Sequence, residues 1–357
     1  MRSTRGRLLG AWCAGLLLAG VSVVVGCRIA DTDAVTPVPQ LLAFLPWLTV
    51  PAGAAVALSL LARRPAGVIW GTVVLGLLAW FVEPYGTGEQ PDGPVLARLR
   101  VLTSNVEFGW ATDALIPVVR RERPDIVFVQ ECEYTCQAAV AKELGAAYPH
   151  RQAVEGDGSV GSVVLSRFPL TATAGVPGSM GMPGAVADVG GHAVRLQLAH
   201  PRPPLPRQVS LWKRELGRLR DFAARHGNAP LVLAGDFNAS QDHAVFRRVL
   251  GTGLRDAARL AGEDREPSWP SRTAPAFGTQ IDHVLVSRDF SAAGARFLHL
   301  AGTDHRALVV DLTLHRGRQP RAGPRPGGED RGRGRSAPGG SGAQGASLTR
   351  ADPKEAP

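Results

Sequence analysis

The chain of 357 residues has room for one large domain and a smaller appendage. Its hydrophobic fraction of 45% is inflated by long apolar runs in the first 82 residues. Its net charge of +9 is inflated by the end, where the stretch from Arg316 has nine Lys or Arg against four Asp or Glu. A pI near 10 is therefore a weak argument for a nucleic-acid partner, and four cysteines without a pair of CxxC motifs argue against a structural zinc site.

Residues 1–83 read as a membrane anchor. Leu8–Cys27 and Leu41–Ala62 are uncharged runs of about the length that crosses a hydrocarbon core, and Ala66–Val82 is a shorter third. Pro46 and Pro51 fall in the second run, where neighbouring helices can satisfy freed carbonyls. Any one run could be a buried core helix, but three in succession favour three transmembrane helices at about 8–27, 41–62 and 66–82. Arg2, Arg5 and Arg7 precede the first run, and Arg63 and Arg64 separate the second from the third. Asp31 and Asp33 outweigh Arg28 between the first and second. Basic ends stay inside, so the expectation is a multi-pass protein of the cell membrane with a cytoplasmic N-terminus. The large domain would be extracytoplasmic. Val24-Val25-Gly26-Cys27 also looks like a lipobox; cleavage there would leave a lipidated Cys27 and the same outward domain.

Residues 84–97 are a linker by their prolines and glycines. Beyond it, short apolar strands alternate with helical patterns. Strands are expected at Arg98–Asn105, Asp125–Gln130, Ser162–Ser166, Ala193–Leu198, Leu231–Ala234, Val284–Ser287, Ala295–Leu300 and Leu308–Leu314. Helices are expected at Ala111–Glu122, Tyr134–Leu144, Leu211–His226 and His243–Leu250. Such alternation implies α/β layers over residues 98–315. Residues 316–357 are too poor in large apolar side chains to bury a core and read as a disordered basic tail.

Polar residues recur where the strands meet loops: Asn105, Gln130-Glu131, His200, Gly235-Asp236-Phe237-Asn238, Ile281-Asp282-His283 and Gly302-Thr303-Asp304-His305. Singly, each could be an N-cap or a turn residue. As a set in this order, with Val164-Leu-Ser-Arg-Phe-Pro169, they resemble the endonuclease/exonuclease/phosphatase superfamily across essentially all of residues 98–315. The resemblance implies a four-layer α/β sandwich, two packed mixed sheets flanked by helices. It also implies metal-dependent hydrolysis of phosphoesters by in-line attack of water.

By the same resemblance Glu131 is the principal metal ligand, with Asn105 completing or supporting that site and Asp304 a candidate second ligand. Hard oxygen donors of this kind suit Mg²⁺, with Mn²⁺ as an alternative. His305 is the expected general base, oriented by Asp282. His200 contacts the phosphoryl group or assists the leaving group, and Asp236 and Asn238 position nucleophile and phosphate.

Thr303 stands where Ser is commoner, and the family's further acid or Tyr between Glu131 and His200 has no clear counterpart; Glu155 and Asp157 are candidates by position alone. His283 reads as structural. Cys132 and Cys136 share a helix face, where spacing of four is marginal for a disulfide, so two free buried thiols are expected. The expected partners are the lipid bilayer and a phosphoester, whether nucleic acid, phospholipid head group or small molecule. Arg202, Arg207, Trp212, Lys213 and Arg214 could form a basic stripe for nucleic acid, against which Trp212 reads as helix core. Two other functions compete with hydrolysis at this centre. One is an inactive, membrane-bound binding module of the same fold. The other is a different metal hydrolase, which would need an H-E-x-x-H motif that the sequence lacks.

Overall fold

Two residues apart along a strand means the same face, and the apolar residues obey that rule on both faces. The computed structural model describes residues 2–33, 35–82, 88, 90–274 and 276–316. The first sheet has the order β11-β12-β1-β2-β4-β3, formed by Phe290–His299, Arg306–His315, Val95–Asn105, Ile126–Gln130, Ser162–Ser166 and His150–Val154. The second has the order β5-β6-β7-β8-β10-β9, formed by Leu170–Thr173, Gly184–Val189, His192–Ala199, Leu231–Asp236, Asp282–Val286 and Arg255–Asp256. Both are mixed: β1 runs parallel to β2 and β7 parallel to β8, and the other ladders are antiparallel.

Val101, Ile126 and Phe128 of the first sheet pack against Leu196, Leu198, Val232 and Val284 of the second. Their sequence neighbours point the other way. Leu102, Val127 and Val129 meet Leu115 and Val119 of α5 (Thr112–Glu122) and Val140 and Leu144 of α6 (Tyr134–Leu144). On the second sheet, Leu231, Leu233 and Leu285 meet Trp212, Leu216 and Phe222 of α7 (Val209–His226) and Phe246 of α8 (Ala244–Leu250). Helix, sheet, sheet, helix is the four-layer sandwich expected from the resemblance. A short helix, α9 (Ala257–Leu260), also packs against the inter-sheet core. Trp212 is fully buried in α7, as helix core, so the basic residues around it do not share an exposed aromatic platform.

The N-terminal region comprises α1 (Arg2–Ile29), α2 (Val38–Ala43), a 3₁₀ turn at Leu45–Leu48, α3 (Thr49–Leu61) and α4 (Pro65–Val82). By length and composition α1, over Arg5–Ile29, and α4 could each cross a bilayer. The second expected span is not one helix. Pro46 lies in the 3₁₀ turn, where the missing N–H and fixed φ break a continuous helix, and the chain turns between α2 and α3. The 13 residues of α3 cover about 20 Å, short of the ~30 Å hydrocarbon core.

The three long helices pack on one another through small residues: Gly71 of α4 lies against Val56 of α3 and Leu18 of α1, and Gly67 lies against Ser59. Gly10 of α1 approaches Leu58 and Ala62, at the end of α3 where Arg63 and Arg64 follow. Arg28, at the other end of α1, stacks over Phe81 of α4 at 4.6 Å. The helices α1 and α4 therefore run parallel, with α3 antiparallel between them.

The segment after α1 is docked on the globular domain. Asp33 Oδ2 accepts from Val245 N at 3.0 Å, supplying from outside the carboxylate that the start of α8 lacks. Asp31 pairs with Arg247 and, at 3.2 Å, with Arg248. The Pro39 carbonyl contacts His243 Nε2 at 2.8 Å, and Arg265 donates to the Phe81 carbonyl at 2.7 Å.

Two further expectations need correction. The strand β1 begins at Val95, inside the expected linker, because it extends the ladder with β12 out to His315. Residues 84–87 of that linker and the tail from 317 lie outside the described residues. Cys132 and Cys136 are joined by a disulfide, with Cα atoms 5.1 Å apart. The reasoning from helical spacing fails because α6 starts only at Tyr134, and Glu131, at φ 57°, turns the chain so that Cys132 approaches from outside the helix. Alkylation of the unfolded chain without reductant is expected to mark Cys13 and Cys27 and to spare Cys132 and Cys136; labelling at all four positions would show that the bridge is absent.

Candidate active site

The polar residues singled out above converge at one edge of the two sheets. Parallel pairing sets Asn105 beside Gln130, so β1 and β2 end together and Glu131 follows at once. Antiparallel pairing sets Asp236 of β8 directly across from Asp282 of β10. Gly235 makes the neighbouring approach possible: a Cβ there would lie 2.0 Å from the Ala199 carbonyl oxygen. The two halves meet in Asn105, whose Nδ2 donates to Glu131 Oε1 at 3.1 Å and to Asp236 Oδ2 at 3.2 Å.

The turn before β12 completes the cluster. Thr303 Oγ1 donates to the Asn105 carbonyl at 3.0 Å and accepts from His305 N at 3.0 Å, so Thr does here what a Ser hydroxyl could. His305 Nδ1 lies 2.9 Å from Asp282 Oδ2; its Nε2 is 3.7 Å from Asp304 Oδ1 and 3.8 Å from Asp236 Oδ2. Asp282 is itself held by Ser268, whose hydroxyl accepts the N–H groups of Ile281 and Asp282.

Burial and like charge make the site electrostatically tense. Burial raises Glu131 above the usual carboxylate range, and burial offset in part by His305 pushes Asp236 up to about 7. Burial opposes charge on His305, but Asp282, Asp236 and Asp304 outweigh it and push the imidazole up to about 10. His200 is fully buried 3.7 Å from Glu131 Oε1; burial, with His305 and Arg202 nearby, pushes it down to about 3. It is therefore neutral at pH 7, and neither ring nitrogen has a hydrogen-bond partner among the described residues.

Of the remaining candidates, Asn238 sits at φ 48°, donates from Nδ2 to the Pro201 carbonyl at 3.0 Å, and gives its backbone N–H to Asp236 Oδ1 at 2.7 Å. It braces Asp236 through the backbone, and Trp212 Nε1 in turn holds its carbonyl at 3.1 Å. Glu155 and Asp157 are exposed on the β3–β4 loop, and Glu155 lines a shallow cleft over α6 rather than this cluster. His283 points into the second sheet's helical face, bonded to Asp256 and the Ala239 carbonyl and packed against Phe246, as a structural residue.

Two participants escaped the sequence reading. Trp269 donates from Nε1 to Asp304 Oδ2 at 2.8 Å, and Glu107 accepts from Asp304 N at 2.7 Å while pairing with Arg272. The run Ser268-Trp269-Pro270-Ser271, a polar loop shortly before Asp282, was the available signal for the first.

The sequence profile of the Endonuclease/Exonuclease/phosphatase family matches residues 102–305, from β1 to the imidazole of His305. The chain belongs to that family. No curated protein matches it in sequence. Among solved structures, a functionally unknown conserved protein from Enterococcus faecalis V583 shares the fold at a TM-score of 0.50. It has 12% identity and covers 61% of this chain and 100% of its own. An endonuclease/exonuclease/phosphatase from Beutenbergia cavernae DSM 12333 is 22% identical over 62% of this chain and 72% of its own, at a TM-score of 0.48. Sphingomyelinase C from Streptomyces griseocarneus is 15% identical over 60% of this chain and 99% of its own, at 0.47.

The His305 ionisation gives a direct check on this geometry. In Asp282→Asn, with chelator present, the His305 pKa is expected to fall from about 10 toward its ordinary value, because the first of the carboxylates that raise it is gone. Following the imidazole Cε1 resonance of ¹³C-histidine-labelled protein through the titration would show this; an unmoved midpoint would mean that Asp282 does not set it.

Proposed function

We propose that this protein is a membrane-anchored, metal-dependent phosphoester hydrolase whose active site faces the outside of the cytoplasmic membrane. The observation that carries the reading is the Asp282–His305 pair set among Glu131, Asp236 and Asp304 at the joined edge of the sheets. That arrangement has an oriented base and more buried negative charge than one imidazole can balance.

A divalent cation fits this cluster. Asp236, Asp282 and His305 present ligand atoms within 4.8 Å of one another, and Asp282 Oδ1 is buried without a hydrogen-bond partner among the described residues. Glu131 and Asp236 are elevated because the charge on His305 offsets their burial only in part. Because Asp282 and His305 already serve each other, Glu131 and Asp304, which border the mouth of the site, would hold the ion. Asn105 braces Glu131 through Nδ2 and is not itself a ligand, since its Oδ1 already accepts the Glu107 N–H. Oxygen donors alone suit Mg²⁺, or Mn²⁺. A bound cation supplies positive charge against the phosphoryl oxygens as negative charge builds on them.

The chain's own groups account for the rest. Neutralising the carboxylates lowers the His305 pKa, so that its Nε2 can take a proton from water while Asp282 holds Nδ1. The water oxygen attacks phosphorus as the bond to the leaving oxygen breaks opposite it; the leaving oxygen takes a proton from solvent and departs as an alcohol, and His305 returns its proton to solvent. His200, neutral and with no hydrogen-bond partner among the described residues, would donate an N–H to a phosphoryl oxygen. Asp236, held by Asn105 and by the Asn238 N–H, faces His305 Nε2 and orients the attacking water.

Orientation in the membrane rests on the helix packing. The parallel α1 and α4 and the antiparallel α3 put Arg5, Arg7, Arg63 and Arg64 at the end away from the globular domain and Asp31 and Asp33 at the end beside it. A cytoplasmic N-terminus with the domain outside satisfies the positive-inside rule in that arrangement, with α3 and its 3₁₀ turn forming a short middle crossing.

The full chain is expected to cleave a chromogenic phosphodiester only with Mg²⁺ or Mn²⁺, and His305→Ala should lower kcat by about 10²–10⁴-fold. A folded protein that turns over no diester, phosphoinositide, sphingomyelin or nucleic acid would overturn the hydrolase reading. Cation binding itself should depend on pH. Because folding raises Asp236 to about 7, that carboxyl is protonated below and charged above, so Mn²⁺ affinity should strengthen as pH rises through that value and level off beyond it. Asp236→Asn should flatten this dependence; Mn²⁺ electron paramagnetic resonance measures it without substrate.

A further inference from the structure

A cavity of about 340 Å³ adjoins the carboxylate cluster, at the lower end of the size of ligand pockets. One wall is α2 and its approach, with Pro39, Ala43 and Phe44; the opposite wall is the proline-rich turn at Pro203–Pro206. The inner end is formed by Asn238 and Trp269, the first bound to Asp236 and the second to Asp304. The two walls are clamped together by Gln40, which donates to the Pro204 carbonyl, and by the contact of Pro39 with His243. On the α2 side an aromatic group continues the apolar surface: Phe44 lies 6.1 Å from Trp269 and 5.6 Å from Phe277, and Trp47 lies 4.9 Å from Phe277.

Three observations decide what this cavity takes. Among the described residues no Lys, Arg, Asp or Glu lines it, so a nucleic-acid backbone would find no cation there. Two of its polar side chains are occupied, with His243 held between Ser240 N and the Pro39 carbonyl and Asn238 Nδ2 held by the Pro201 carbonyl. Its outer wall comes from the stretch joining α1 to α3, the part of the chain nearest the apolar helices, whose outward faces carry Leu16, Val23, Ile29 and Val50.

We propose that this cavity is the subsite for the hydrocarbon chain of a membrane-resident phosphoester, placing its phosphoryl group against Glu131, His200 and His305. The proposal rests on the hydrolase reading and on membrane insertion of α1 and α4. It adds to them the class of substrate, an amphiphile taken from the bilayer along the α2 wall, and assigns the anchor a part in substrate binding. The interaction is burial of apolar surface, with no bond made or broken beyond the hydrolysis already described.

The test uses the full chain in lipid nanodiscs and a long-chain alkyl phosphodiester carrying a photoreactive group at the chain end. In His305→Ala, photolabelling should fall on the segments 36–44 and 203–206. Excess unlabelled long-chain diester should compete with it, and Ala43→Trp, which fills the cavity, should reduce it about tenfold. Leu205→Glu, on an exposed turn remote from the helix packing, should reduce it similarly and guards against misfolding of the first variant. Labelling confined to the outer faces of α1, α3 and α4, or unchanged in both variants, would overturn the subsite. So would competition by a single-stranded oligonucleotide as effective as that by the long-chain diester. In turnover, both variants should lower kcat/KM for the long-chain diester about tenfold and leave a short-chain diester with the same head group unchanged; equal losses on the two would also overturn it. If the wild type cleaves neither diester but is labelled as expected, the hydrolase reading fails and the subsite stands.

Discussion

One amide bridges the two sheets at the point where they matter. Asn105 ends β1 in the first sheet, and its Nδ2 reaches both Glu131, of its own sheet, and Asp236, which ends β8 in the second. Everything else at the site is referred to that contact. Its carbonyl holds Thr303, Thr303 holds the backbone of His305, and His305 returns to the second sheet through Asp282. The loop is closed across an apolar inter-sheet core, where side chains in two-residue alternation fix how far the strands can slide. A register error of one residue in either sheet would turn Asp236 or Asn105 into a helical layer and leave a charged or polar group buried without partners.

The charge balance follows from the same convergence. Carboxylates from four separate chain segments meet where water is mostly excluded, so Glu131 and Asp236 rise and the His305 imidazole among them stays charged. An arrangement of this kind is costly to the fold on its own and becomes favourable when a cation or a charged reactant enters. His200 shows the opposite response to the same environment: with no carboxylate bonded to it, burial keeps it neutral, and the two histidines are thereby fitted for different tasks.

Much of this was legible in the residues. The apolar runs that end in Asn105, Glu131 and Asp236 announced both the strands and the polar ends that meet, because a strand buried on both faces reads as an unbroken apolar run and the first polar residue after it marks the sheet edge. Less regular strands were not legible. His150–Val154, Leu170–Thr173 and Gly184–Val189 lack a long apolar stretch and are strands because neighbouring strands pair with them. The edge strand Arg255–Asp256 is too short to carry a pattern. Trp269 and Glu107 act on Asp304 from loops, where side-chain direction depends on tertiary contacts that spacing does not encode. The break at Pro46 was visible as a residue, but its effect depended on whether neighbours would tolerate a straight helix there. Instead the chain turns and α2 packs onto the globular domain.

The turn that follows β2 constrains how this chain can vary in length. Glu131 holds a left-handed conformation, Cys132 donates its N–H to the Gly161 carbonyl and is bonded to Cys136, and Glu133 caps α6 through Thr135 N and Cys136 N. Every residue from 131 to 136 is thereby tied to a strand, a helix start or a covalent bridge. One residue added or removed there would carry the carboxylate away from Asn105, whereas the exposed turn around Pro203–Pro206 could change length without moving any member of the carboxylate cluster. Related chains that keep this site should accordingly keep the spacing between the Asn105 and Glu131 strand ends and the start of α6, while a change of length at 203–206 would reshape the apolar cavity against α2 and leave the carboxylates in place.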